Sequence, residues 1–146
     1  MLSYQPCFIR MGVATTTGAA VWASGWLAEL WHTPPVAGSS KLVPCIATAQ
    51  VPLPLEKTLR CHATDFAMEK GGRIRVYSSA SRLLRSILRR AHSIEVSVFD
   101  FEHTLYVRVS TPVYVSRASI RRLGHAVAAM ALPQYDWHSV LAPARL

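Results

Sequence analysis

Two stretches of alternating apolar and polar residues in the second half of the chain give its clearest structural signal. Ile94, Val96 and Val98 alternate with Glu95, Ser97 and Phe99, and Leu105, Val107 and Val109 alternate with Tyr106, Arg108 and Ser110. This is the pattern of strands buried on one face. A hairpin through Phe101-Glu102-His103-Thr104 joins them. Pairing Val98 with Val107 and Val96 with Val109 gathers the valines on one side, so burial sets the register. Upstream, Gly71-Gly72 predicts a turn, and Arg73-Ile74-Arg75-Val76-Tyr77 predicts another half-buried strand.

The period changes between these strands. Leu83, Leu84, Ile87, Leu88 and Ala91 recur at helical spacing, and Ser78, Ser79 and Ser81 offer N-cap oxygens, predicting a helix from about Ser81 to His92. After the hairpin, Pro112 must bulge or end its strand because it has no N–H to donate, although Val113-Tyr114-Val115 can continue it past the bend. Ser116 caps a second helix whose narrow stripe is Ile120, Leu123, Val127 and Met130, and Pro133 stops it. Tyr135 to Leu141 alternates weakly and is a candidate last strand. The predicted order is β-α-β-β-α(-β). The expected fold is thus an α+β, ferredoxin-like split sandwich, with two helices on one face of an antiparallel sheet.

The first third of the chain is different. Residues 11–31 hold no basic residue and a single acid, Glu29, over a length that fits a bilayer. The quality is marginal: Thr15, Thr16, Thr17 and Ser24 are polar, and most of the remainder is Ala and Gly. Trp22, Trp26 and Trp31 suit either a headgroup belt or a helix docked on protein. Arg10 before the apolar run also resembles the start of a targeting segment. Three readings stay open: a docked helix, a targeting segment and a marginal membrane span. From Thr33 to Pro54, five prolines surround Ala37-Gly38-Ser39-Ser40, which excludes a continuous helix and predicts an extended connector. The expected organisation is therefore an apolar N-terminal segment (1–32), a Pro-rich connector (33–67) and a basic α/β domain (68–146).

Composition sharpens this division. The 146 residues carry a net charge of +8, and residues 68–146 hold twelve basic and five acidic groups. Thirteen of the sixteen basic residues are Arg, whose planar guanidinium suits phosphate, carboxylate and aromatic faces. An acidic partner is expected. The 51% hydrophobic content argues for a folded core rather than disorder.

Cys7, Cys45 and Cys61 form no secreted disulfide pattern, and a reducing intracellular compartment is the simpler reading, an organellar (mitochondrial) one included. Cys45, Cys61 and His62 lack zinc-ligand spacing, and no metal or cofactor is expected. Asp100, Glu102 and His103 cluster at the hairpin, where turn chemistry already explains polar residues. No nucleophile elbow, HExxH or glycine fingerprint appears, and Gly71-Gly72 lacks the ending of a P-loop. The chain is expected not to be an enzyme.

With the valines inward, the reverse of the sheet carries Arg73, Arg75, Tyr77, Phe99, Tyr106 and Arg108. Rings on which bases stack, set among guanidinium groups that meet phosphates, are what single-stranded RNA or DNA binding needs. The consensus of RNA-recognition motifs is absent from Leu105 to Val109. The helices add Arg82, Arg85, Arg89, Arg90, Arg117, Arg121 and Arg122; neither helix has an acid in its first turn to suit the macrodipole. The leading expectation is a basic domain binding RNA or single-stranded nucleic acid. The alternatives are an accessory subunit of a larger, membrane-associated assembly tethered by residues 1–32, and a small inhibitor docking on an acidic enzyme surface.

Overall fold

The structure, a computed structural model, describes residues 6–36, 46–65, 79–111 and 115–141. The elements run α1 (Pro6–Trp31), β1 (Ile46–Gln50), α2 (Leu53–Asp65), α3 (Ala80–His92), β2 (Ser97–Phe101), β3 (Thr104–Ser110), α4 (Arg117–Met130) and α5 (Trp137–Leu141). The fold is α+β. Its sheet has the order β1-β3-β2 with both pairings antiparallel, so β1 and β2 run parallel on either side of β3.

The register follows the valines. Val98 pairs with Val107 and Phe99 with Tyr106 as expected, whereas Val109 finds its partner in Ala47 of β1 because β2 begins only at Ser97. The hairpin loop is two residues, Glu102 and His103, both at positive φ (48° and 62°), the backbone that the right-handed strand twist demands of so short a loop. On one sheet face Ala47, Ala49, Leu105 and Val107 are fully buried. They join a single core with Leu55 and Leu59 of α2, Leu83, Leu84, Ile87 and Leu88 of α3, and Ile120, Leu123, Val127 and Met130 of α4. Helix α4 buries the whole stripe that its spacing predicts, and α3 buries Leu83, Leu84, Ile87 and Leu88, while Ala91, expected as the stripe's last member, is exposed because it lies in the final turn beyond the sheet contact. Ser79 and Ser116 cap them, accepting from the N–H groups of Arg82 (3.4 Å) and Ser119 (3.2 Å).

The N-terminal region departs most from expectation. Residues 46–50 and 53–65, which fall in the expected Pro-rich connector (33–67), form the sheet's β1 and the helix α2. Pro54 sits in the first turn of α2, where a missing N–H costs nothing, and Leu55 and Leu59 lie one helical turn apart in the core. The small Ala47 and Ala49 of β1 have weak strand propensity, and burial against α1 overrides it.

Helix α1 docks. Ala20, Ala23, Leu27 and Trp31 are buried, the Trp31 indole donates to the Gly124 carbonyl of α4 (2.9 Å), and the Ser24 hydroxyl donates to the Thr48 carbonyl of β1 (2.9 Å). Gly124 is required by this contact: a Cβ there would lie 2.5 Å from the Trp26 ring. Together with a bridge from Pro35 to Ala49, α1 blunts the outer edge of β1 against further pairing. Among the described residues, no helix is long and apolar enough to cross a membrane.

Two further expectations meet different ends. Tyr135 to Leu141 is not a strand: residues 137–141 form the short α5, because the Asp136 carboxylate accepts from the Ser139 N–H (3.1 Å) and starts a helical turn. The strand expected at Arg73–Tyr77, its Gly71-Gly72 turn and the Pro112 bulge lie outside the described residues.

Candidate nucleic-acid interface

Alternation along β2 and β3 sends Phe99, Phe101, Tyr106 and Arg108 to the face opposite the core. Phe99 and Tyr106 are directly paired across the strands. Their rings stack with centroids 5.6 Å apart and planes 22° from parallel. Phe99 remains 37% exposed and Phe101 58% exposed. Arg108 is exposed one step further along β3, between Ser97 of β2 and Thr48 of β1. Same-face positions on a strand are about 7 Å apart. The result is a row in which Phe101, the Phe99–Tyr106 pair and Arg108 succeed one another.

The hairpin that carries this row is held from the other side. Arg60 of α2 binds the Glu56 carboxylate (2.8 Å), the Asp100 carboxylate (2.9 Å) and the His103 carbonyl (2.9 Å). Hydrogen bonding to Glu56, and then to Asp100, raises the Arg60 pKa above its ordinary value. Glu56 is only 4% exposed, and its second oxygen accepts from the Leu105 N–H (3.3 Å), just where β1 has ended and leaves that donor without a strand partner. A buried carboxylate is tolerable when fully engaged in this way. Asp100 and His103 thus fasten the hairpin. No group of three or more metal-binding side chains comes together among the described residues.

The expected arginine set divides between two sides of the molecule. Phe99, Tyr106 and Arg108 share the outer sheet face. Arg82, Arg85, Arg89 and Arg90 of α3 and Arg117, Arg121 and Arg122 of α4 are exposed on helices whose apolar stripes face the core, so they lie on the helix side, away from the rings. Several are engaged there. Arg85 donates to Glu95 (2.8 Å) and Arg89 lies 3.6 Å from the same carboxylate, whose pKa is lowered chiefly by the Arg85 hydrogen bond. Arg122 donates to the His92 carbonyl (2.6 Å). The Arg117 guanidinium sits 4.9 Å from the centre of the Trp22 ring, which is itself stacked on Trp26. Arg73, Arg75 and Tyr77 lie outside the described residues.

Phe101 belongs to the outer row, although its place beside Glu102-His103 predicts a turn position. Its signal was present as Phe99-x-Phe101, an alternation that runs one step beyond the expected strand end. The Cys61 thiol is exposed, and the His62 ring lies 5.3 Å from that of Trp137; Cys45 is outside the described residues. Compared with family models, curated proteins and solved structures, the chain matches none.

Proposed function

We propose that this chain is a non-enzymatic, basic binding domain that contacts RNA or single-stranded DNA through the outer face of its sheet. The observation that carries this reading is the stacked Phe99–Tyr106 pair, left partly exposed beside Phe101 and Arg108 on the sheet face opposite the core. Bases stack on such rings whatever their sequence, and the adjacent guanidinium meets a phosphate. Arginines on the helix side contribute to the +8 field that draws a polyanion in, without touching the stacked bases. In the same reading, the parallel β1 and β2 around β3 are the core of a ferredoxin-like split β-α-β, with residues 46–50 as its first strand instead of 73–77.

The test is a fluorescence-anisotropy titration of the full chain against a labelled oligouridine at several salt concentrations. Affinity falls steeply with salt as counterions are released. Tyr106→Ala weakens binding by roughly tenfold without changing the salt slope, since a stacked base is worth about 1–3 kcal/mol. Arg108→Gln lowers the slope by about 0.7, the share of one phosphate on a single strand. Undetectable binding at low salt contradicts the proposal.

A further inference from the structure

At the end of the sheet where β3 leaves it, a cavity of about 380 Å³ opens between α3, the strands and the start of α4. Its floor is apolar: Ile94, Val96, Val109, Ile120 and Leu123, three of them core residues less than a tenth exposed. Its rim is polar, built from Ser97, Ser110 and Ser119 with Arg85, Glu95 and Arg108. The size and the balance of a broad apolar lining with a few placed polar groups are those of a small-molecule site.

The charges on the rim say which molecule. Arg85 is already matched by Glu95, with both Nε and a terminal nitrogen on one carboxylate oxygen. Arg108 has no ion pair with any described residue, so it is the cation left for a ligand. The first turn of α4 adds the positive end of a helix dipole on the same side and holds no acid to cancel it. The three serine hydroxyls can donate to the oxygens of an anionic head.

We infer that this cavity binds a small organic anion, with its apolar body on the floor formed by Val96, Ile120 and Leu123 and its carboxylate or phosphate head at Arg108 and the rim serines. The site is distinct from the ring platform. Arg108 stands on the outer face and meets the cavity only at its rim, where β2 begins at Ser97 and leaves the edge of β3 open; the floor residues face the core side and no ring takes part. A chain that binds no nucleic acid would still bind this ligand.

Octanoate and phenyl phosphate are suitable probes, titrated into the isotopically labelled full chain while amide shifts are followed. Octanoate produces saturable, one-site shifts concentrated at residues 94–97, 108–110 and 119–123. Neutral 1-octanol, equal in chain length, binds roughly tenfold more weakly because it forgoes the charge-assisted contact. Arg108→Gln reduces octanoate to the level of octanol, whereas Lys57→Gln, on exposed α2 surface, changes nothing. Ser119→Phe fills the mouth and abolishes the shifts; should that variant unfold, Ser110→Phe closes the opposite wall. Tighter binding of phenyl phosphate identifies a phosphate monoester as the natural head, and tighter binding of octanoate identifies a carboxylate. The inference is overturned by the absence of saturable shifts up to about 10 mM, by equal affinity for octanol, or by binding that persists in a folded, occluded variant.

Discussion

One sheet has two faces built from the same alternating strands, and they are used in opposite ways. Toward the helices stand Ala47, Ala49, Leu105 and Val107, all buried to within one per cent. Away from them stand Phe99, Phe101 and Tyr106, larger side chains with more apolar area to offer, which stay partly in water. Fully burying an aromatic side chain is worth about 1.5–3 kcal/mol, so the fold forgoes part of that contribution on the face opposite the core. Small residues on the inner face serve close approach: alanines in β1 and Gly124 in α4 let α1 settle against strand and helix. Large residues on the outer face stand partly exposed, and the proposed nucleic-acid contact falls there. The lesson of the pair is that side-chain size along this sheet tracks the partner it meets rather than the depth of the core.

That contrast can be broken most sharply at adjacent positions. Leu105→Ala removes a fully buried side chain from the inner face and is expected to cost about 2–5 kcal/mol in urea denaturation, while Tyr106→Ala, next to it but on the outer face, costs well under half as much. Equal losses would mean that the outer rings are part of the core. Gly124→Ala is expected to cost about 1–3 kcal/mol, since the new methyl meets the Trp26 ring at 2.5 Å and pushes α1 outward. Limited proteolysis then cuts within residues 6–31 faster than in the parent chain.

Glu56→Ala is expected to cost about 1–3 kcal/mol, because it strands the Leu105 N–H and removes one of the carboxylates that hold Arg60. Hydrogen exchange should quicken at the hairpin, and oligonucleotide binding should weaken through a less fixed ring platform. An unchanged exchange rate there would remove Arg60 as the hairpin's fastener.

The smallest effect concerns pH. His92 and Tyr135 share a hydrogen bond (3.2 Å) that helps hold the C-terminal turn to α3. Burial, then the neighbouring Arg122 charge, lowers the His92 pKa below 6.5, and burial, then Asp136, raises that of Tyr135 above 10. As pH falls below 6.5 the unfolded chain takes up the imidazole proton first, and stability is lost until the folded value is passed. As pH rises past 10 the unfolded chain gives up the phenolic proton first, and stability is lost again. Thermal melts should therefore show a shallow plateau between these limits, and His92→Gln should flatten the acid side.

Where side-chain period is strong, the sequence was legible. The stripe of α4, that of α3 up to Leu88, their serine caps and the Val98–Val107 register all follow from spacing, because burial of one face leaves no competing arrangement. The Phe99–Tyr106 pairing came with that register. Where structure depends on contacts distant in sequence, it was not legible. Residues 46–50 read Ile-Ala-Thr-Ala-Gln, with little intrinsic preference for a strand, and become one through β3 and α1. Pro52 and Pro54 read as breaks, yet they introduce α2, since a proline that ends one element can begin the next.

The outer face of the sheet is the proposed contact surface. Amide shifts of the labelled chain, followed through a titration with oligouridine at low salt, test it directly. Perturbations centred on residues 97–101 and 104–110 are predicted, together with an upfield ring-current shift of the Phe99 and Tyr106 ring protons as bases stack on them. Shifts confined to the arginines of α3 and α4, with the two strands unmoved, would contradict it.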